Sequence, residues 1–120
     1  MAQSHAASGD VIDLQPFGAA LPEHRTTALI KGRQLELVRI VLAAGKSLRW
    51  HSAPGEITVL CLEGEIELST PGVAHRLAPG QLVHLGAGVE HALRALADAS
   101  ALVTICLQRP GAEPGAPPAP

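Results

Sequence analysis

Aromatic residues are almost missing from this chain of 120 residues: it has no tyrosine, one phenylalanine and one tryptophan. That scarcity argues against a sugar-stacking platform, which is built from exposed aromatic faces. Charge is sparse as well, with 17% Asp, Glu, Lys and Arg and a formal net charge of −2. Lys and Arg are scattered, so no basic stripe tracks phosphates and no polybasic run meets anionic lipid, and neither nucleic acid nor a membrane is an expected partner. The two cysteines, Cys61 and Cys106, both lie in apolar runs, where a thiol behaves as a small buried hydrophobe. Their placement fits a reducing, cytoplasmic setting. No apolar run reaches the length of a membrane span, and "MAQSHAASGD" lacks the charged and apolar regions of a signal peptide.

Hydrophobic residues, by contrast, make up 47% of the chain, enough to bury one core but too little length for two. The first residues are small and polar and the last, "RPGAEPGAPPAP", are rich in proline and glycine. The expected organisation is therefore a flexible segment at 1–20, one domain at 21–108 and a disordered tail at 109–120. Within the domain, short Val, Ile and Leu runs alternate with Gly and Pro turns at the spacing of sandwiches and barrels. Strands are expected near 26–31, 34–42, 48–52, 56–62, 65–69, 74–77, 81–85, 90–96 and 101–108, an all-β fold.

Alternation assigns the faces. In "EIELS" Ile66 and Leu68 point one way while Glu65 and Glu67 point the other, as in a strand packed on one face. "ITVLCL" is apolar on both faces and needs cover on each, from the barrel on one side and from a second sheet or another subunit on the other. "EHALRALAD" could be helical by composition but opens directly from a glycine turn, and is read as strand. Arg39, Arg49 and Arg94 read as solvated strand charges. No nucleophile elbow, phosphate loop or pair of catalytic carboxylates is visible.

The spacing of glycines and histidines resembles the small single-domain cupins, whose fold is a double-stranded β-helix or jelly-roll barrel, the RmlC-like type. Their first motif is Gly, five residues, His, one residue, His, three or four residues, Glu, six residues, Gly; here Gly45, His51 and Gly64 fall in place. The second is Gly, five residues, Pro, one residue, Gly, two residues, His, three residues, Asn, and is met by Gly80, Gly88 and His91. The resemblance covers about residues 34–108. It implies a barrel pocket at His51 and His91, with Ala53, Ile57 and Val59 on the same wall, and a homodimer.

Metal-binding cupins use three His and one Glu, but here the second His position is Ala53, the Glu position Ile57, the Pro position Gly86 and the Asn position Ala95. The resemblance thus implies a degenerate metal site with no firm cofactor, and a barrel that binds a small molecule. The alternative is a metal-dependent enzyme of dioxygenase or isomerase type, holding Fe, Mn, Ni or Zn through His51, Glu56 and His91. Pleat parity opposes it, because a residue one place out of register points to the other face unless a bulge intervenes. A second alternative is a sensor or interaction module read by a partner protein. His84 is expected at the surface or a subunit contact, and Trp50 outside the pocket. His5, His24 and His75 read as solvated.

Overall fold

The computed structural model describes residues 5–108. Nine strands form: β1 (Thr27–Lys31), β2 (Leu35–Leu42), β3 (Ser47–His51), β4 (Ile57–Glu63), β5 (Ile66–Thr70), β6 (Val73–Leu77), β7 (Leu82–Leu85), β8 (His91–Ala95) and β9 (Ala99–Cys106). They build a five-stranded sheet ordered β1-β2-β9-β4-β7 and a four-stranded sheet ordered β3-β8-β5-β6. Their pairings are antiparallel. The two sheets face each other as a jelly roll, as the sequence pattern implies. No helix among the described residues is long and apolar enough to cross a membrane.

Period-two alternation places the core. Ile57, Val59 and Cys61 of β4, Ile66 and Leu68 of β5 and Leu93 of β8 turn inward and are buried, while the residues alternating with them face out. "ITVLCL" is an internal strand of its sheet, paired with β9 on one side and β7 on the other, and its outward Leu60 and Leu62 stay half-buried. Small inward residues, Ala95, Ala99 and Ala101, lie beside Cys61 at one end of the barrel. Bulkier Val103 and Ile105 continue β9 toward the other end, where a cavity opens. Both cysteines are free thiols, and burial pushes the Cys61 thiol above its ordinary value, against a lowering contribution from the Glu63 backbone.

The N-terminal segment, expected to be flexible through residue 20, makes specific contacts from residue 6 onward. Ala6 N–H bonds Leu29 O, and a short 3-10 helix spans Gly18–Glu23 and buries its own Leu21. Phe17 and Gly18 donate their backbone N–H groups to the two carboxylate oxygens of Glu63, each at 3.0 Å. Arg39 is a correction to the sequence reading: it is only 4% exposed. Its Nη2 donates to Gln15 O at 2.8 Å, Glu63 Oε2 at 3.1 Å and Ser100 Oγ at 3.2 Å. The Phe17 ring lies 3.7 Å from Arg39 Cζ, with His24 stacked against the ring at 3.6 Å. A cation, an aromatic face and a carboxylate together clamp the arm to the outside of the five-stranded sheet. The segment 109–120 lies outside the described residues.

Candidate functional site

The cavity at the open end of the barrel has a volume of about 230 Å³. The four-stranded sheet contributes Leu48 and His51 from β3 and His91 and Leu93 from β8. The five-stranded sheet contributes Val38 and Ile40 from β2, Val59 from β4, and Val103 and Ile105 from β9, with Thr26 at the edge. This wall is apolar apart from the two imidazoles and one hydroxyl. Thr26 Oγ1 is itself occupied, accepting from Val41 N–H at 2.9 Å.

His51 and His91 sit directly opposite one another in the β3–β8 ladder. Their ring centroids are 4.2 Å apart, tilted by 60°. A register shift between Leu48 and His51 accounts for the composition of this wall. In a regular strand residues three apart face opposite sides; the bulge lets Leu48 and His51 both turn inward. Trp50 is left outside, 51% exposed.

Each imidazole is held by its own strand. His51 Nδ1 lies 2.8 Å from Arg49 O, and His91 Nδ1 lies 3.0 Å from Val89 O. A carbonyl oxygen only accepts, so each Nδ1 carries the proton and each neutral ring keeps its Nε2 lone pair unprotonated. His91 is 3% exposed, yet its Nε2 is not sealed in. The one fully buried side-chain polar atom without a partner among the described residues is Arg39 Nε. Nε2 of His91 therefore opens on the cavity that its ring lines.

The other candidates lie elsewhere. Ile57 is buried in the core and Ala53 packs against it, so both neighbour the cavity without forming its wall, whereas Val59 does form it. Glu56, a ligand only in the alternative metal set, lies apart from the two imidazoles: its Oε1 lies 2.7 Å from His84 Nε2 in an exposed pair. The two belong to a separate shallow hollow with Thr58, Thr104 and Cys106. Glu56 has the parity of Thr58 and Leu60, so the pleat carries it to the outside of the barrel and the bulge that could have rescued it falls in β3 instead.

The donor set does not fit the metal that the fold implies. Zinc and non-haem iron sites use three or more protein ligands. Here two imidazoles converge, and no group of three His, Cys, Asp or Glu among the described residues is placed to hold an ion. His84, the histidine nearest to Glu56, cannot complete the set because it stands on the opposite face of the sheet from the cavity.

A larger cleft of about 650 Å³ follows the seam between the N-terminal arm and β1. Its wall mixes Asp13 and Glu23 with Arg25 and His24. Its deeply buried polar group, Arg39, is already engaged with Glu63. The barrel cavity is the better candidate because two imidazoles meet on an otherwise apolar wall.

Sequence reasoning missed Thr26, Val38, Ile40, Leu48, Leu93, Val103 and Ile105 on the cavity wall. Inward apolar residues of a strand read alike whether they meet another side chain or a void, so no local signal separates them.

A family profile described as a cupin domain matches residues 38–107. Among solved structures, the chain is similar to a conserved protein of unknown function from Streptococcus pyogenes, at 24% identity over 91% of this chain and 99% of that one, with a TM-score of 0.69. It is also similar to an RmlC-like cupin from Desulfovibrio desulfuricans, at 24% identity over 89% of this chain and 98% of that one, with a TM-score of 0.64. A third is the DMSP lyase DddQ from Ruegeria pomeroyi, at 27% identity over 77% of this chain and 51% of the lyase, with a TM-score of 0.62. A comparison with curated proteins finds no match.

Proposed function

This chain belongs to the cupin domain family, and from that premise we propose that it works by binding a small, largely apolar molecule in the barrel cavity, with His51 and His91 holding the polar end. The observation that carries this reading is the pair of imidazoles 4.2 Å apart at the end of an apolar sleeve. The buried imidazole of His91, with His51 at the exposed rim, orients a ligand, and the surrounding aliphatic area supplies most of the affinity. The lyase and the other neighbours set a fold for this proposal, not a substrate.

The test is a titration of the full chain, treated with a chelator, against a library of small apolar molecules carrying one polar group. Binding is followed by thermal shift and by the ring resonances of His51 and His91. His91→Ala is expected to weaken any hit about tenfold or more, the scale of one lost hydrogen bond in a dry site. Val38→Phe, which fills the cavity from its half-buried rim, is expected to abolish binding while the fold survives. A hit that keeps its affinity in both variants binds elsewhere and sinks the reading.

The same proposal places the protein in the cytoplasm as a homodimer. Supporting the dimer, Leu35 and Leu82 stand 41% and 55% exposed on the five-stranded sheet, whose outer face also carries half-buried Leu37, Leu60 and Leu102. Light scattering is expected to give twice the monomer mass, and Leu82→Lys to return it to a monomer. A monomeric mass for the unaltered chain at micromolar concentration would end that part of the proposal.

A further inference from the structure

We infer that the end of the ligand buried against His91 is a ring N–H of the pyrrole or indole kind, a neutral donor that brings no acceptor with it. This rests on the proposed binding function and narrows it to a chemical class. Size comes from the cavity. A dry apolar cavity of about 150 Å³ takes benzene. At about 230 Å³, this one takes a body half as large again, on the order of nine non-hydrogen atoms.

The head follows from what the deep wall offers. His91 is 3% exposed and Val89 O holds its Nδ1 proton at 3.0 Å, so the neutral ring turns one Nε2 acceptor on the cavity and no donor. His51 stands at the exposed rim, within reach of water. The other wall side chains add no charge and no unengaged polar atom: Thr26 Oγ1 accepts from Val41 N–H at 2.9 Å and turns its own proton to Val41 O at 3.4 Å, and the rest are aliphatic. A ligand that covers His91 must therefore give Nε2 a donor or leave it desolvated and unpaired. The same dryness penalises whatever else the head carries. A carboxylate supplies no donor and buries a charge, and an ammonium buries a charge that no carboxylate of the wall offsets. A carboxylic acid or a carboxamide donates, but its carbonyl oxygen then faces aliphatic carbon. An alcohol leaves its lone pairs in the same position. In a pyrrole-type ring the nitrogen lone pair belongs to the π system, so the N–H donates and no acceptor is left to satisfy, as in the side chain of tryptophan.

The experiment compares four fused bicyclic rings of nearly equal size on the chelator-treated full chain, at a pH well above the range in which imidazoles titrate. Indole only donates, benzimidazole donates and accepts, benzofuran carries an oxygen acceptor alone and indene carries neither. Indole is expected to bind about tenfold or more tighter than benzimidazole, whose second nitrogen finds no donor. Indene is the more hydrophobic ring, so the donor is read as a change in preference: the ratio of indole to indene affinity should fall about tenfold or more in His91→Leu. Because that variant also loses the bond to Val89 O, the unaltered chain supplies an independent readout. The Nε2 nitrogen resonance of His91 should move several times further with indole than with indene or benzofuran. Benzimidazole equal to indole would mean that the wall does offer a donor, and an unchanged ratio in His91→Leu, or equal resonance shifts from indole and indene, would mean that no bond reaches Nε2. Any of these overturns the inference while leaving the cavity a binding site. If none of the four rings shifts the His51 or His91 resonances, the inference and the proposed function fall together.

Discussion

Replacing Gly64 with alanine is expected to cost about 3–5 kcal/mol, a large share of the roughly 5–15 kcal/mol that holds a domain of this size together. Gly64 closes the tight turn from β4 to β5 with φ +76°, a conformation that strains any residue bearing a Cβ by about 1–2 kcal/mol. The larger part is steric. A Cβ added there would strike the carbonyl oxygen of Asp98 and come within 2.8 Å of Ala99 Cα and 2.9 Å of Ala99 Cβ. These are backbone and near-backbone atoms entering β9, and they cannot rotate aside. Gly72 supplies the control: its φ is +79° but a Cβ would meet nothing within 4 Å, so Gly72→Ala carries the conformational strain alone, about 1 kcal/mol. Urea midpoints for the two variants measure the difference. Equal losses would show that the approach of Ala99 contributes nothing, and the packing account of this turn would be wrong.

Gly64 was legible in the sequence as a motif glycine, and the reason it is needed was not, since Asp98 and Ala99 reach it through a long-range pairing. The same division runs through the molecule. The strands and their inward faces could be read because alternation and turn residues are local signals, and β5 buries Ile66 and Leu68 as its pattern demands. His51 and His91 could be placed on one wall because motif spacing fixed their strands. The β3 bulge could not, because a bulge adds one residue without any mark in composition, and it decides that Leu48 and His51 share a face. Burial of Arg39 was invisible for a different reason. Its partners are Gln15, Glu63 and Ser100, from three separate parts of the chain, so a cation in an apolar strand looked like one more solvated charge. The lone phenylalanine in a polar arm was the available hint, since an aromatic residue outside the strand pattern has to be packed against something.

The removal of Glu63 is the second large effect expected, about 3–5 kcal/mol for Glu63→Ala. The carboxylate accepts from Ser100 Oγ at 2.5 Å, from the N–H groups of Phe17 and Gly18 at 3.0 Å each, and from Arg39 at 3.1 Å. Its loss strands a buried guanidinium whose Nε already has no partner and leaves two backbone donors of the arm unpaired. Removing both ions should cost far less than removing one, because the penalty is the uncompensated charge. Arg39→Met with Glu63→Leu is therefore expected to recover most of the stability lost in Glu63→Ala, although the arm loses its clamp. Hydrogen exchange separates these effects: Phe17 and Gly18 N–H protection should vanish in the single and the double variant alike.

Acid acts on the same carboxylate. Burial pushes the Glu63 carboxyl up, but hydrogen bonds from Ser100, Phe17, Gly18 and Arg39 outweigh it and hold the group below its ordinary value of 4.5. Because the folded value is the lower one, the stabilisation is complete above the unfolded value and drains away as pH falls through the folded one. Unaltered protein should consequently lose stability more steeply than Glu63→Gln as pH drops below about 4.5, where the unfolded chain takes up the proton first. Parallel slopes for the two proteins in that window, or a Glu63→Ala loss under about 1 kcal/mol, would mean that the arm is held by the packing of Phe17 between Arg39 and His24, with the carboxylate a bystander.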